Sequence, residues 1–206
     1  MSAAPLLGFG CVADPRLVLE AEATVPTDHG PMRFIVFRWG HERDHVAIVR
    51  GDPAGEDVLV RVHSECMTSE VFGSLKCDCA LQLDRAMAAI AAEGRGVIVY
   101  MRQEGRGIGL ANKIRAYALQ ERGADTVDAN RALGLPDDAR RYDAAAALLE
   151  GIGVRSVRLL TNNPAKVRAL AALGVTLRAR LPIAVSAPVH AQAYLRTKAR
   201  RMEHEL

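Results

Sequence analysis

The chain has 206 residues, half of them hydrophobic and a quarter charged, the balance of a single folded domain with a sizeable core. Its net charge is only +3, and aromatic residues make up 4% of the chain, too few to interleave with a basic surface as nucleic-acid binding requires. No apolar run reaches the ~18 residues of a membrane span, residues 1–13 lack the pattern of a secretory leader, and four cysteines at this length read as cytoplasmic thiols rather than disulfide staples.

Residues 1–16 read as a loosely held arm ahead of one domain over 17–206. Short runs rich in Val, Ile and Phe predict strands over Leu17–Val25, Met32–Arg38, His45–Arg50 and Asp57–His63, each pair separated by Gly, Pro or Asp. From Cys79 the pattern changes. Leu83, Met87 and Ile90 recur at helical spacing over Cys79–Glu93, which ends at Gly94. The apolar run Gly96–Met101 predicts a buried strand, and a helix follows from about Gly109 to Arg122. A shorter helix near Asp125–Leu133 precedes one over Tyr142–Glu150, with Gly151 as its stop. A strand at Val154–Leu160, a helix at Pro164–Leu173 and a last strand at Val175–Arg180 complete the domain, and Ala187–Leu206 reads as a basic helix. A strand-rich first third followed by β-α alternation predicts an α/β domain with a mixed sheet.

Four segments carry chemistry. In Arg61–Gln82, Val58, Val60 and Val62 alternate to one face of their strand, so Arg61, His63 and Glu65 take the other. Cys66 leaves that strand, and Cys77 and Cys79 return at a helix start, where three soft thiolates would suit zinc. A closed structural site with His63 as fourth ligand, or a redox pair of Cys77 and Cys79, competes with a catalytic site. Gln82 falls on the same helix face as Cys79. The second segment, Arg102–Leu110, opens a helix with Gly105, Gly107 and Gly109, which free the backbone to approach an anion. Glu104 and Arg106 there suit a base edge and a phosphate, or form a surface ion pair. Third, Asp137 or Asp138 could cap the next helix, but Arg140 and Arg141 would then oppose its dipole unless an anion lay between. Fourth, Asn163 and Pro164 start a helix, leaving Thr161 and Lys166 as surplus suited to phosphate. Tyr117, in register with Leu110 and Ile114, reads on periodicity as a core residue.

Taken together, R-V-H-S-E-C, C-D-C, Q-E-G-R-G-I-G-L, A-Y-A-L-Q, D-T-V-D-A-N, D-x-R-x-Y and T-N-N-P-x-K stand in the order and spacing of the GTP cyclohydrolase II family, which the chain resembles from about Ala21 to Met202. The resemblance implies one zinc ion per subunit on Cys66, Cys77 and Cys79, with water in the fourth place. It implies GTP contacts from Arg61, Val62, His63, Ser64, Glu65, Gln82, Glu104, Gly105, Arg106, Thr126, Thr161 and Lys166. Asp138 matches a general base, Arg140 a nucleophile toward the α-phosphate, and Tyr117 a tyrosine of the ring-opening step, which displaces the core reading of it. The implied activity is hydrolysis of GTP with loss of formate and pyrophosphate, with magnesium on the triphosphate, in a homodimer that binds neither nucleic acid nor membrane. Ala80 where the family usually has Gly, Met67–Glu70 in place of T-G-D after the first cysteine, and an alanine-rich stretch after Tyr142 depart from the pattern. They fit a divergent paralogue that stops at a formamide product or serves a secondary pathway; a non-catalytic zinc-bound nucleotide sensor is the other alternative, and Asp138, Arg140 and Tyr117 argue against it.

Overall fold

The computed structural model describes residues 14–42 and 44–185, the side chain of Thr126 excepted. Most of the expected arm, with Cys11, and the basic helix expected over 187–206 lie outside the described residues. Of the arm, Arg16 is described: its guanidinium stacks 4.2 Å from the Trp39 ring centroid.

Seven strands form one mixed sheet. They are β1 (Leu17–Thr27), β2 (Gly30–Trp39), β3 (His45–Arg50), β4 (Val58–Ser64), β5 (Gly96–Met101), β6 (Val157–Leu160) and β7 (Leu177–Leu181). Their order is β1-β2-β3-β5-β4-β6-β7. The first three and β5 pair antiparallel. β4 lies parallel to both β5 and β6, and β6 parallel to β7.

Parallel neighbours need crossovers, and helices supply them. A single turn, α1 (Met67–Glu70), and the longer α2 (Cys79–Glu93) link β4 to β5. α3 (Leu110–Gln120), α4 (Thr126–Ala132) and α5 (Asp143–Gly151) link β5 to β6, and α6 (Pro164–Ala172) links β6 to β7. α2 buries Ala86 and Ile90 against Ile48, Leu59 and Ile98 on one sheet face. α5 buries Ala144, Ala145, Leu148 and Leu149, with Leu170 of α6, against Val60, Val62 and Val99 on the other. Fully burying a side chain such as Ile90 or Leu148 contributes about 1.5–3 kcal/mol. The alternation read from β4 holds: its valines enter the α5 side, while Leu59 enters the α2 side and Arg61 bonds there to Gln82.

Most boundaries shift by one to three residues from the sequence reading, and the turn α1 was not expected; two of the shifts have a visible cause. Gly151 is the last residue of α5 rather than its stop; buried Ile152 follows, and Gly153, at φ +80°, makes the left-handed turn. The strand expected from Val154 begins only at Val157, because β4, its parallel partner, first meets it at Val58. Among the described residues, no helix is long and apolar enough to cross a membrane.

Candidate functional site

The crossovers from β4 to β5 and from β5 to β6 run on opposite sheet faces, so their departing chains splay apart beyond the carboxyl end of β4. Such a switch point is where open α/β sheets leave a crevice. A cleft of about 1020 Å³, counting space open to solvent, sits there.

Its floor is sulfur. Cys66 leaves β4, Cys77 precedes α2 and Cys79 opens it; their sulfurs all lie within 4.8 Å of one another, with Cys66 and Cys77 3.5 Å apart. Tetrahedral zinc with Zn–S near 2.3 Å would hold sulfurs about 3.8 Å apart, so this spacing fits the ion the resemblance implies. Hydrogen bonds from Cys77 and Cys79, together with the Lys113 ammonium, hold the Cys66 thiol far below its ordinary range. Cys77 is pushed up, chiefly through its bond to Cys66. The closed-site alternative fails on geometry. His63 does not join the cysteines: its Nε2 lies 2.7 Å from Glu70 Oε1, and its ring stacks on Tyr100. Burial holds His63 below the ordinary imidazole range, against the pull of Glu70.

A buried polar chain supports the floor. Arg61 donates to the Leu160 carbonyl at 2.9 Å and to Gln82 Oε1 at 2.6 Å, and Gln82 donates to Asp78 Oδ2 at 2.6 Å. Asp78 stands between the two later cysteines, so the network fixes the peptide that presents them. Burial draws the Arg61 guanidinium down to about 10, which leaves it charged at neutral pH.

The glycine-rich segment is a 3₁₀ turn over Glu104–Gly107 ahead of α3. Gly107, at φ +88°, owes its lack of a side chain to packing: a Cβ there would stand 2.7 Å from the Ala139 carbonyl oxygen. Arg106 takes φ +63°, a left-handed conformation that costs a non-glycine residue on the order of 1–2 kcal/mol, and it lines the cleft. Glu104 is no surface partner of Arg106. It is 8% exposed, and its carboxylate accepts from Met67 N, Gly105 N and Lys113 Nζ, all at 2.7 Å. About one of its four lone-pair sites is left for a ligand.

The remaining walls come from the exit of β6 and from the loop between α4 and α5. Asn163 caps α6 by accepting from the amides of Ala165 and Lys166, with Pro164 in the first turn, as expected. Lys166 is buried and donates to the Val62 carbonyl at 2.5 Å. Asp138 caps nothing. It chelates Arg140 through Nε and a terminal nitrogen, while Asp137 pairs with Arg131. Both Arg140 and Arg141 precede α5 rather than occupying its first turn. Burial works against the Asp138 carboxylate, but the bonds from Arg140 outweigh it and keep the group below its usual range.

Of the sequence-predicted residues, Arg61, His63, Ser64, Glu65, Gln82, Glu104, Gly105, Arg106, Tyr117, Arg140, Thr161 and Lys166 line the cleft with the three cysteines. Val62 turns its side chain to the opposite core and offers its carbonyl, and Asp138 reaches the cleft only through Arg140. Thr126 opens α4; its side chain lies outside the described residues. The periodicity reading of Tyr117 is overturned. Leu110 and Ile114 are 37% and 49% exposed, and the cleft instead takes Lys113, Ala116, Tyr117 and Gln120 from α3. Sequence reasoning missed Lys113 and Glu70. The i, i+4 step from Lys113 to Tyr117 was the available signal for the first; the second had none beyond its proximity to Cys66.

Residues 18–182 match the family model described as GTP cyclohydrolase II. The chain belongs to the GTP cyclohydrolase II family. It is 54% identical over 196 residues to the riboflavin biosynthesis protein RibBA of Salinispora tropica, a match covering 94% of this chain and 49% of that protein. The RibBA proteins of Nocardia farcinica and Mycobacterium marinum are 51% and 55% identical over 209 and 193 residues, covering 100% and 90% of this chain and 50% and 45% of theirs. The chain thus spans about half the length of the curated relatives it matches. Every residue of the thiol floor and of the cleft walls named above falls inside the segment that matches the GTP cyclohydrolase II model.

Proposed function

We propose that this chain hydrolyses GTP, opening the imidazole ring of guanine with release of formate and pyrophosphate. The product is 2,5-diamino-6-(5-phosphoribosylamino)pyrimidin-4(3H)-one, at the first step of riboflavin synthesis. The observation that carries the reading is a three-thiol floor within one cleft that also holds Arg61, Arg106, Arg140 and Lys166. A polyanion with a reactive base is the ligand such a cleft fits.

Cys66, Cys77 and Cys79 would hold zinc, whose Lewis acidity, when bound, serves to activate water toward an electrophilic carbon such as C8 of guanine. Magnesium would accompany the triphosphate and screen its charge. The residues of the chain do the rest. Burial pushes the Tyr117 phenol up to about 12, so it stays protonated at neutral pH and donates a proton as the ring opens. Glu65, on the cleft wall, is the complementary acceptor. Arg140 is the nucleophile toward the α-phosphorus: the nitrogen–phosphorus bond forms, pyrophosphate leaves, and Asp138 takes the guanidinium proton before water cleaves that bond. Three buried or half-buried free thiols fit the reducing cytoplasm. A homodimer would have a surface to use: Val71, Phe72 and Leu75 are 68%, 73% and 54% exposed, and Phe72 shares a shallow pocket with Ile114.

Zinc-loaded protein incubated with GTP and magnesium should release formate and pyrophosphate and accumulate the pyrimidine. Pyrophosphate without formate would identify the paralogue that stops at the formamide, and GTP binding without any product would identify a sensor. Cys66→Ser should lose zinc and formate release together; full formate release from zinc-depleted variant would overturn the metal assignment.

A further inference from the structure

Lys113 is a buried cation with no task in the reaction described above. It is 9% exposed on the cleft face of α3, with Nζ 3.1 Å from Cys66 Sγ and 2.7 Å from Glu104 Oε1. Burying an ammonium costs several kcal/mol unless anions surround it. Glu104 is one such anion, but it also serves the amides of Met67 and Gly105. The Cys66 sulfur is the second, reached by a directed N–H···S contact.

Three thiolates around a divalent cation leave one surplus negative charge, and thiolates are strong electron donors. Both effects blunt the ion as a Lewis acid. A cationic donor on one sulfur reverses both at once. We propose that Lys113 is a positioning residue that acts on the metal through Cys66, drawing electron density from its sulfur and cancelling the surplus charge of the centre. The proposal rests on the metal-hydrolase reading of the cleft. Glu104 completes the device. It aims the ammonium from the turn that carries Arg106, so the metal floor and the phosphate wall share one hydrogen-bonded chain. Groups that bond to metal ligands commonly govern about 10–100-fold in activity or affinity.

The test substitutes cobalt(II) for zinc in the full chain and reads the sulfur-to-metal charge-transfer absorption. Lys113→Met removes donor and charge; Lys113→Gln keeps an N–H donor without the charge. Transition energy should fall in the order wild type, Gln, Met, because an unbonded thiolate gives up its electrons more easily. Zinc-loaded Lys113→Met should release formate about 10–100-fold more slowly with an unchanged KM for GTP. Coincident bands in all three proteins would overturn the proposal, and so would a raised KM with kcat intact, which would make Lys113 a GTP ligand. Should the Met variant fail to fold, wild type against Gln decides alone, and identical bands refute. Wild-type protein that releases no formate would sink the hydrolase reading, while the band order would still decide the Lys113–Cys66 interaction.

Discussion

Lys166→Met separates binding from stability, because the two are expected to move independently. Lys166 is 4% exposed, stands in the first turn of α6, donates to the Val62 carbonyl at 2.5 Å and lies 5.7 Å from the Tyr142 ring centroid. Losing its charged hydrogen bond costs about 1.5–3 kcal/mol. Losing the ring contact costs about 0.5–1 kcal/mol more. Against this, a cation in a first helical turn opposes the macrodipole by about 0.3–1 kcal/mol. Its burial carries a desolvation penalty of several kcal/mol, which methionine does not incur. The fold should therefore be no less stable, with Tm moving by less than about 4 °C.

Binding has no such compensation. A phosphate deprived of one charge-assisted hydrogen bond loses about 1.5–3 kcal/mol, roughly 10–150-fold in affinity. Calorimetric titration of the zinc-loaded variant with a non-hydrolysable GTP analogue and magnesium reads one quantity, and thermal unfolding the other. Unchanged affinity together with a Tm drop of more than about 8 °C would make Lys166 a structural strut and refute the reasoning.

Gln82→Leu leaves the buried Arg61 and Asp78 short of partners, and should cost on the order of 2–5 kcal/mol in urea unfolding; a loss under about 0.5 kcal/mol would show that the network supports nothing. Because burial depresses His63, the unfolded chain binds the proton first as pH falls below about 6.5, so native stability declines from there toward acid. His63→Gln should flatten that decline between about pH 6.5 and 5 in the zinc-loaded chain, and parallel curves would contradict the assignment. Tyr117→Phe should slow formate release by about 10²-fold with GTP affinity kept, whereas an equal loss of affinity would make the hydroxyl a binding contact only. Phe72→Asp should shift a sedimenting dimer to monomer, and a dimer undisturbed by it would place the contact elsewhere.

How much was legible depends on what each residue faces. His45–Arg50, Cys79–Glu93 and Gly96–Met101 match the observed elements residue for residue, because each meets one environment along its length and is bounded by a turn or cap. The alternation of β4 could be read because its two faces differ in chemistry, valines against Arg61 and His63. α3 could not. Its cleft face is polar and aromatic, and its aliphatic residues Leu110 and Ile114 face outward, so hydrophobic periodicity points the wrong way. The role of Asp138 was hidden for a different reason. Local rules offer an aspartate before a helix as a cap, but the chain between it and α5 is irregular, and the carboxylate serves Arg140 instead. The helical step to Tyr117 could place Lys113 on the cleft face, but not its contacts, because its partners lie 47 residues away at Cys66 and nine away at Glu104.

The three departures from the family pattern bear on whether the full reaction or a truncated one is carried out. The alanines after Tyr142 are packing residues: Ala144 and Ala145 are buried at 2% and 0% exposure against the sheet, on the face away from α2. Ala80 is the second residue of α2, and its amide accepts no ligand duty, since it donates to Ser69 Oγ at 3.3 Å. Glu70 alone comes near the chemistry, and there its carboxylate is enclosed by His63 Nε2 and the Tyr100 hydroxyl rather than turned into the cleft. None of the three removes a thiol from the floor, a cation from the walls, or Tyr117 from its place beside the sulfurs. Ring opening to the formamide already uses the thiol floor and the Tyr117 phenol, so both support attack on the base, and the fate of the formyl carbon is read from the product. Mass analysis of the GTP product decides between the full and the truncated reaction: the pyrimidine without its formyl carbon supports the proposed complete hydrolysis, and the formamide as sole end product refutes it.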